Sequence, residues 1–226
     1  MALKAIVFDF DGVLANSEPL HLQAYQEVLA FEGIALTEDD YYTRYLGYDD
    51  VGAFAAIGKD RGRAWAPADI ERLVRRKAAR FERIEQEVSV LFPGAADAVR
   101  RASSAYPIAV ASGARGEEIR RVLEREGLWS CFTAIVAAED TPRSKPAPDP
   151  YLRVVELLRT SLGLLEPAEC VALEDSRWGL QSARAAGLRT VAVAQTYERS
   201  ALAEADLVIE TIDDMDLLAL TQLCSS

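Results

Sequence analysis

Apolar residues follow two different rhythms along this chain. Residues 3–10, 107–112, 134–137, 170–173 and 190–194 form short, almost continuous apolar runs rich in Val, Ile, Leu and Ala. A strand with one wet face alternates apolar and polar positions, whereas a strand covered on both faces has no need to. These runs therefore predict five buried parallel strands, and residues 207–210 predict a sixth at an edge. Between the later runs the apolar spacing changes to the helical period, over 116–126, 150–162 and 177–186. Ser176 stands where an N-cap belongs and Gly187 where a helix stops, and Asp149-Pro150 reads as a cap followed by a first-turn proline. Strand and helix alternate, so the fold class is α/β: a Rossmann-like parallel sheet with helices on both faces.

Residues 16–88 break the alternation. They carry helical periodicity over 19–32, 37–45, 49–61 and 67–87 and no convincing strand. The pattern predicts an all-helical domain inserted after the first strand, with a core built from residues 1–15 and 89–226. In the last of these helices Ile70, Val74, Phe81, Ile84 and Val88 make an apolar stripe, and Lys77 falls on it. A lysine there is expected to snorkel out or to point into a polar cleft.

Composition adds exclusions more than assignments. The 226 residues carry a formal net charge of −11, which argues against nucleic acid or an anionic membrane as a main partner. It leaves room for a small anionic substrate, because a local cation and a lysine can reverse the potential of one pocket. Cys131, Cys170 and Cys224 are too far apart in sequence for a metal knuckle and read as free thiols, two of them in the core. The start of the sequence lacks a signal-peptide layout and no apolar run reaches membrane-spanning length, so a cytoplasmic location is expected.

Chemistry-bearing residues gather where strands end. The first run closes Val7-Phe8-Asp9-Phe10-Asp11-Gly12-Val13. Residues two apart in a strand project to one face, so Asp9 and Asp11 can serve one site while the phenylalanines pack elsewhere. Two close carboxylates repel each other, which calls for a divalent cation or a proton beside them, and Gly12 permits a tight turn. Ser112-Gly113 ends the second run with a hydroxyl and free backbone amides, groups that hold phosphate oxygens. Lys145 sits among Pro146, Pro148 and Pro150, which stiffen its backbone. The fourth run ends in Glu174-Asp175, and hard oxygen ligands in small number at the carboxyl end of a core strand suit magnesium.

In this order D-F-D-G-V, A-S-G, S-K-P-A-P-D and L-E-D-S, with A-A-G downstream, the chain resembles the haloacid dehalogenase superfamily, most closely the group of β-phosphoglucomutase and sugar-phosphate phosphatases. The resemblance implies a helical cap and a magnesium-dependent phosphatase acting on a small phosphate monoester. It implies Asp9 as nucleophile, Asp11 as general acid and then base, Ser112 and Gly113 as phosphate holders, and Lys145 as the group that orients Asp9. It places the metal on Asp9, the Asp11 carbonyl, Asp175 and Glu174, and it marks His21 and Lys77 as substrate-binding cap residues. A dehalogenase needs no acid at the second position, so Asp11 favours phosphoryl chemistry. Where the mutase carries an arginine shortly after a cap glycine, this chain reads Leu46-Gly47-Tyr48-Asp49-Asp50, which disfavours a mutase, although Arg44 is a spatial substitute to be located. A signalling receiver domain shares the residue types, but there the acidic pair ends the first strand and the acceptor lies on a later one.

Overall fold

The computed structural model describes residues 2–46, 48 and 50–225. Gly47 and Asp49 of the 46–50 segment, Asp49 being also the expected start of the third insert helix, lie outside the described residues. The chain divides into two compact units, Met1–Asn16 with Leu91–Ser226, and Ser17–Val90.

The first unit is built on six strands: β1 (Ala5–Phe8), β2 (Ile108–Ala111), β3 (Phe132–Val136), β4 (Cys170–Glu174), β5 (Arg189–Val193) and β6 (Leu207–Ile209). All pairings are parallel, in the order β3-β2-β1-β4-β5-β6. Every residue of β1, β2 and β4 is buried, which is why their sequences are continuously apolar, while the edge strand β3 is mostly half-buried. One sheet face packs Val7, Ala109 and Ala172 against Tyr151, Val154, Val155 and Leu158. The chain runs outward from β1 to β3, then returns to the other side of β1 and runs outward again from β4. The junction of β1 and β4 is therefore the topological switch point, where an open α/β sheet leaves a crevice at its carboxyl edge.

The second unit is helical. It holds α1 (Glu18–Phe31), a single turn α2 (Glu38–Asp40) running into a π-helical segment Tyr41–Tyr45, α3 (Asp50–Asp60) and α4 (Pro67–Glu87). Its core joins Tyr25, Val28 and Leu29 of α1 to Phe54 and Ile57 of α3 and Leu73 of α4. The buried line of α4 runs Leu73, Lys77, Phe81, Ile84 and Glu85, and Val88 is exposed. The expected stripe is thus rotated so that Lys77 lies at its centre.

The remaining helices belong to the first unit: α5 (Ala95–Ala105), α6 (Gly116–Arg125), α7 (Asp149–Leu162), α8 (Arg177–Ala185) and α9 (Leu217–Ser225). Ser176 caps α8, its hydroxyl accepting the Gly179 N–H at 3.1 Å. Asp149 does not cap α7. It is the first helical residue and its carboxylate pairs with Arg143 at 2.9 Å. No helix among the described residues is long and apolar enough to cross a membrane.

Candidate active site

Parallel pairing alone brings distant residues together. Phe8 of β1 lies beside Leu173 of β4, and the Asp9 N–H extends that ladder by donating to the Leu173 carbonyl at 2.9 Å. The residues that follow, Asp9 on one strand and Glu174 and Asp175 on the other, are consequently neighbours. One carboxylate oxygen from each of the three lies within 4.8 Å of the others, and all three residues are buried.

Lys145 enters this cluster from the loop before α7. Its Nζ is 2.8 Å from Asp9 Oδ1 and 2.6 Å from Glu174 Oε1. The Lys145–Pro146 peptide is cis, and the loop is tied to α8 by the Ser182 hydroxyl, which donates to the Ala147 carbonyl at 2.5 Å. Burial by itself would favour the neutral amine, but the two carboxylates outweigh it and hold the lysine pKa above its ordinary value. The Phe10 N–H also donates to Asp9 Oδ1, at 2.8 Å. Two donors therefore converge on one oxygen of Asp9, which leaves Oδ2 the less encumbered of the pair.

Two glycines exist to make room for the acids. A Cβ on Gly12 would lie 1.9 Å from Asp175 Oδ2, and Gly12 has φ +77°, a left-handed conformation that side chains disfavour. A Cβ on Gly179 would lie 1.8 Å from Glu174 Oε2. The first turn of α8 thus closes directly onto Glu174.

The donor set fits a hard divalent cation. Three carboxylates face one ammonium group, so these four groups alone keep two negative charges uncompensated. Burial, and then repulsion from Asp9, raise the Asp175 pKa to about 6 and raise that of Glu174 as well. A bound cation removes that penalty without a proton.

The other expected residues stand as follows. Asp11 is half-buried just past β1 and is not part of the three-acid cluster. Ser112 follows β2, the other neighbour of β1, and is buried, its hydroxyl accepting the Ala114 N–H at 3.0 Å. Gly113 is exposed with open space around its Cα. His21 and Lys77 belong to the helical unit, where Lys77 Nζ is 2.6 Å from His21 Nδ1 and 2.7 Å from Asp50 Oδ1. Lys77 neither snorkels nor ends in open solvent; it is only 3% exposed.

Three residues of the site escape the sequence reading. The Tyr151 hydroxyl donates to Glu174 Oε1 at 2.6 Å, and the Tyr151 ring lies 5.4 Å from Lys145 Nζ. Thr196, just past β5, gives Asp175 a side-chain hydrogen bond that draws its pKa back down. Gln195 Nε2 donates to the carbonyls of Gly12 at 3.2 Å and Val13 at 3.3 Å, while its Oε1 accepts the Ile212 N–H at 2.9 Å. Tyr151 read only as a helix residue, and Gln195-Thr196 lie where the strand pattern stops, so neither position carried a signal.

The family model for haloacid dehalogenase-like hydrolases matches residues 3–187. Protein CbbY of Rhodobacter capsulatus is 35% identical over 88% of this chain and 88% of its own length. Hexitol phosphatase B of Escherichia coli is 31% identical over 91% of both. A crystal structure of CbbY from Rhodobacter sphaeroides in complex with xylulose-(1,5)bisphosphate superposes with a TM-score of 0.75 at 29% identity, covering 97% of this chain and 99% of that one. An acid cluster at the switch point of a six-stranded parallel sheet, with matches spanning almost the whole length, leads to one conclusion: this chain belongs to the haloacid dehalogenase-like hydrolase family.

Proposed function

We propose that this protein is a magnesium-dependent phosphatase that hydrolyses a small phosphate monoester, a sugar or polyol phosphate, through an aspartyl-phosphate on Asp9. The observation that carries the reading is the ion-pair chain Asp9–Lys145–Glu174, buried at the switch point beside Asp175. The phosphatase relatives support the substrate class.

Magnesium, held by Asp9, Asp175, the Asp11 carbonyl and Glu174 directly or through water, would supply positive charge for the phosphoryl oxygens. Lys145 fixes Asp9 through Oδ1 and turns Oδ2 toward phosphorus. Asp9 Oδ2 attacks, the ester P–O bond breaks, and Asp11 gives its proton to the departing alcohol oxygen. Asp11, now ionised, takes a proton from water as the water oxygen attacks the same phosphorus. The Asp9–phosphorus bond breaks and inorganic phosphate leaves, restoring both carboxyl groups. Ser112 and the Gly113 amide hold the non-bridging oxygens. The helical unit acts as the cap and recognises the alcohol portion through the cluster to which His21 and Lys77 belong. The reaction takes place in the cytoplasm, and no nucleic acid or membrane takes part.

The mutase alternative has a likeness behind it, a putative β-phosphoglucomutase from Thermotoga maritima at a TM-score of 0.82 and 26% identity, but the arginine it calls for after the cap glycine is absent from this sequence. Arg44, the spatial substitute for the missing arginine, is engaged by Asp60 at 2.6 Å and Asp40 at 3.4 Å. The test is phosphate release from a panel of small esters with magnesium, run beside Asp9→Asn. The wild type should turn over and the variant should lose at least about a thousandfold in rate, equivalent to about 4 kcal/mol of barrier. Release by Asp9→Asn at the wild-type rate would refute the nucleophile.

A further inference from the structure

We propose that the cleft between the first turns of α8 and the chain beyond β5 is a binding site for a purine nucleoside monophosphate. Both walls belong to the first unit, and the cleft shares no lining residue with the three-acid cluster. The inference goes beyond the phosphatase reading and does not rest on it.

Arg177, Trp178 and Gln181 stand at positions i, i+1 and i+4 of α8, so they share one helix face. The rest of the helix turns inward, with Gly179, Leu180, Ser182 and Ala183 buried. Leu180 packs with Ala192 of β5 and with Leu202. Leu202 ends a short 3-10 helix, Arg199–Leu202, which brings Ala201 to the facing wall, and Tyr197 comes just before that helix. The Arg184 guanidinium ties α8 to the same stretch by donating to the Glu204 carbonyl at 2.5 Å. The result is a cleft of about 270 Å³ with fixed walls, lined by Arg177, Trp178, Gln181, Tyr197 and Ala201. That is the small end of ligand pockets, room for one ring system and little more.

The α8 wall is spent on nothing else. Trp178 is 59% exposed, although an indole ordinarily buries most of its surface. Among the described residues, the side chains of Arg177, Trp178 and Gln181 make no hydrogen bond, ion pair or ring contact. Arg177 is left without a carboxylate in a chain of 36 acidic and 25 basic side chains.

Each group has a matching part in one ligand. The rings of Trp178 and Tyr197 suit the face of a flat base. The Gln181 carboxamide holds a donor and an acceptor side by side, the complement of the exocyclic amine and ring nitrogen on the adenine edge. The Arg177 guanidinium is a fixed positive charge with a planar fork of donors, suited to phosphate. An uncharged sugar leaves the guanidinium unused, and a sugar phosphate offers the two rings no π face.

The test is calorimetric titration of AMP into the full chain without magnesium. Saturable binding is expected with a Kd below about 1 mM. Adenosine and ribose 5-phosphate each keep one half of the ligand and should bind at least about fivefold more weakly. Trp178→Ala should weaken AMP about tenfold through lost stacking. Arg177→Gln should weaken AMP about fivefold and leave adenosine unchanged, because only the phosphate meets the guanidinium. Both positions are exposed, so melting temperatures matched to wild type identify lost binding as lost contact. No saturable AMP binding below about 5 mM, binding unmoved by Trp178→Ala, or ribose 5-phosphate bound as tightly as AMP overturns the proposal. Binding is read without magnesium or turnover, so failure here leaves the phosphatase reading untouched.

Discussion

Tyr151 is an uncharged donor placed directly on the ion-pair chain of the site. It is fully buried, and its hydroxyl shares Glu174 Oε1 with Lys145. Burial and the adjacent carboxylates raise its pKa well above the ordinary tyrosine value, so the proton stays on the phenol and the group remains a donor. Removing that donor leaves a buried carboxylate short of one hydrogen bond, a loss of about 1–3 kcal/mol. Tyr151→Phe should therefore melt several degrees below wild type without magnesium, and added magnesium should recover part of the difference by satisfying Glu174. Equal melting temperatures in both conditions would mean that the hydroxyl has no structural task. Gly12 and Gly179 make the complementary point, because both are explained by a carboxylate that needs the space a Cβ would fill.

At the scale of elements, the loop after β5 holds the loop after β1. Gln195 grips the carbonyls of Gly12 and Val13, directly beyond Asp11, and Thr196 holds Asp175. Gln195→Ala removes both donors at once and should raise the magnesium concentration needed for half-maximal rate several-fold at saturating substrate. Superimposable magnesium titrations would remove this positioning role. Such ties explain why parts of the molecule were legible in sequence and others were not. The central strands β1, β2 and β4 announce themselves because burial on both faces forces continuous apolarity, and Asp9, Glu174 and Asp175 follow from where β1 and β4 end. The helices α5 and α9 leave no comparable mark; Ala95–Ala105 is largely alanine, arginine and serine, and the last helix is apolar without a clear stripe. The expected helix over 37–45 becomes one α turn and a π segment. There Tyr41 and Tyr45 are buried with their hydroxyls on Glu18 and Asp60, partners remote in sequence that no local pattern reveals. Lys77 stood out as an anomaly on an apolar stripe, but its partner Asp50 sits in the segment that departs from the mutase pattern, and only the fold links the two.

For the whole molecule, buried ionisable groups pull stability in opposite directions with pH. The His21 pKa is about 4 in the folded chain, lowered by burial and then by Lys77, against 6.5 unfolded. Between those values the unfolded chain binds the extra proton, so the His21 contribution is fully present above pH 6.5 and is lost as pH falls toward 4. Its full size is on the order of 3 kcal/mol. Asp175 has a raised pKa of about 6, and Glu174 is raised too, so without metal the folded chain takes up these protons first. Their effect has the reverse sign: the charged acids strain the metal-free fold as pH rises through 6, and acid relieves that strain. The two trends partly cancel in the wild-type curve, which therefore hides both. His21→Gln separates them, since it keeps an acceptor for Lys77 and removes the titration. In urea unfolding without magnesium, the variant should gain about 2 kcal/mol relative to wild type between pH 7.5 and pH 4.5, whatever its offset at neutrality. An offset that stays constant across that interval would mean that His21 does not titrate out of step with the unfolded chain.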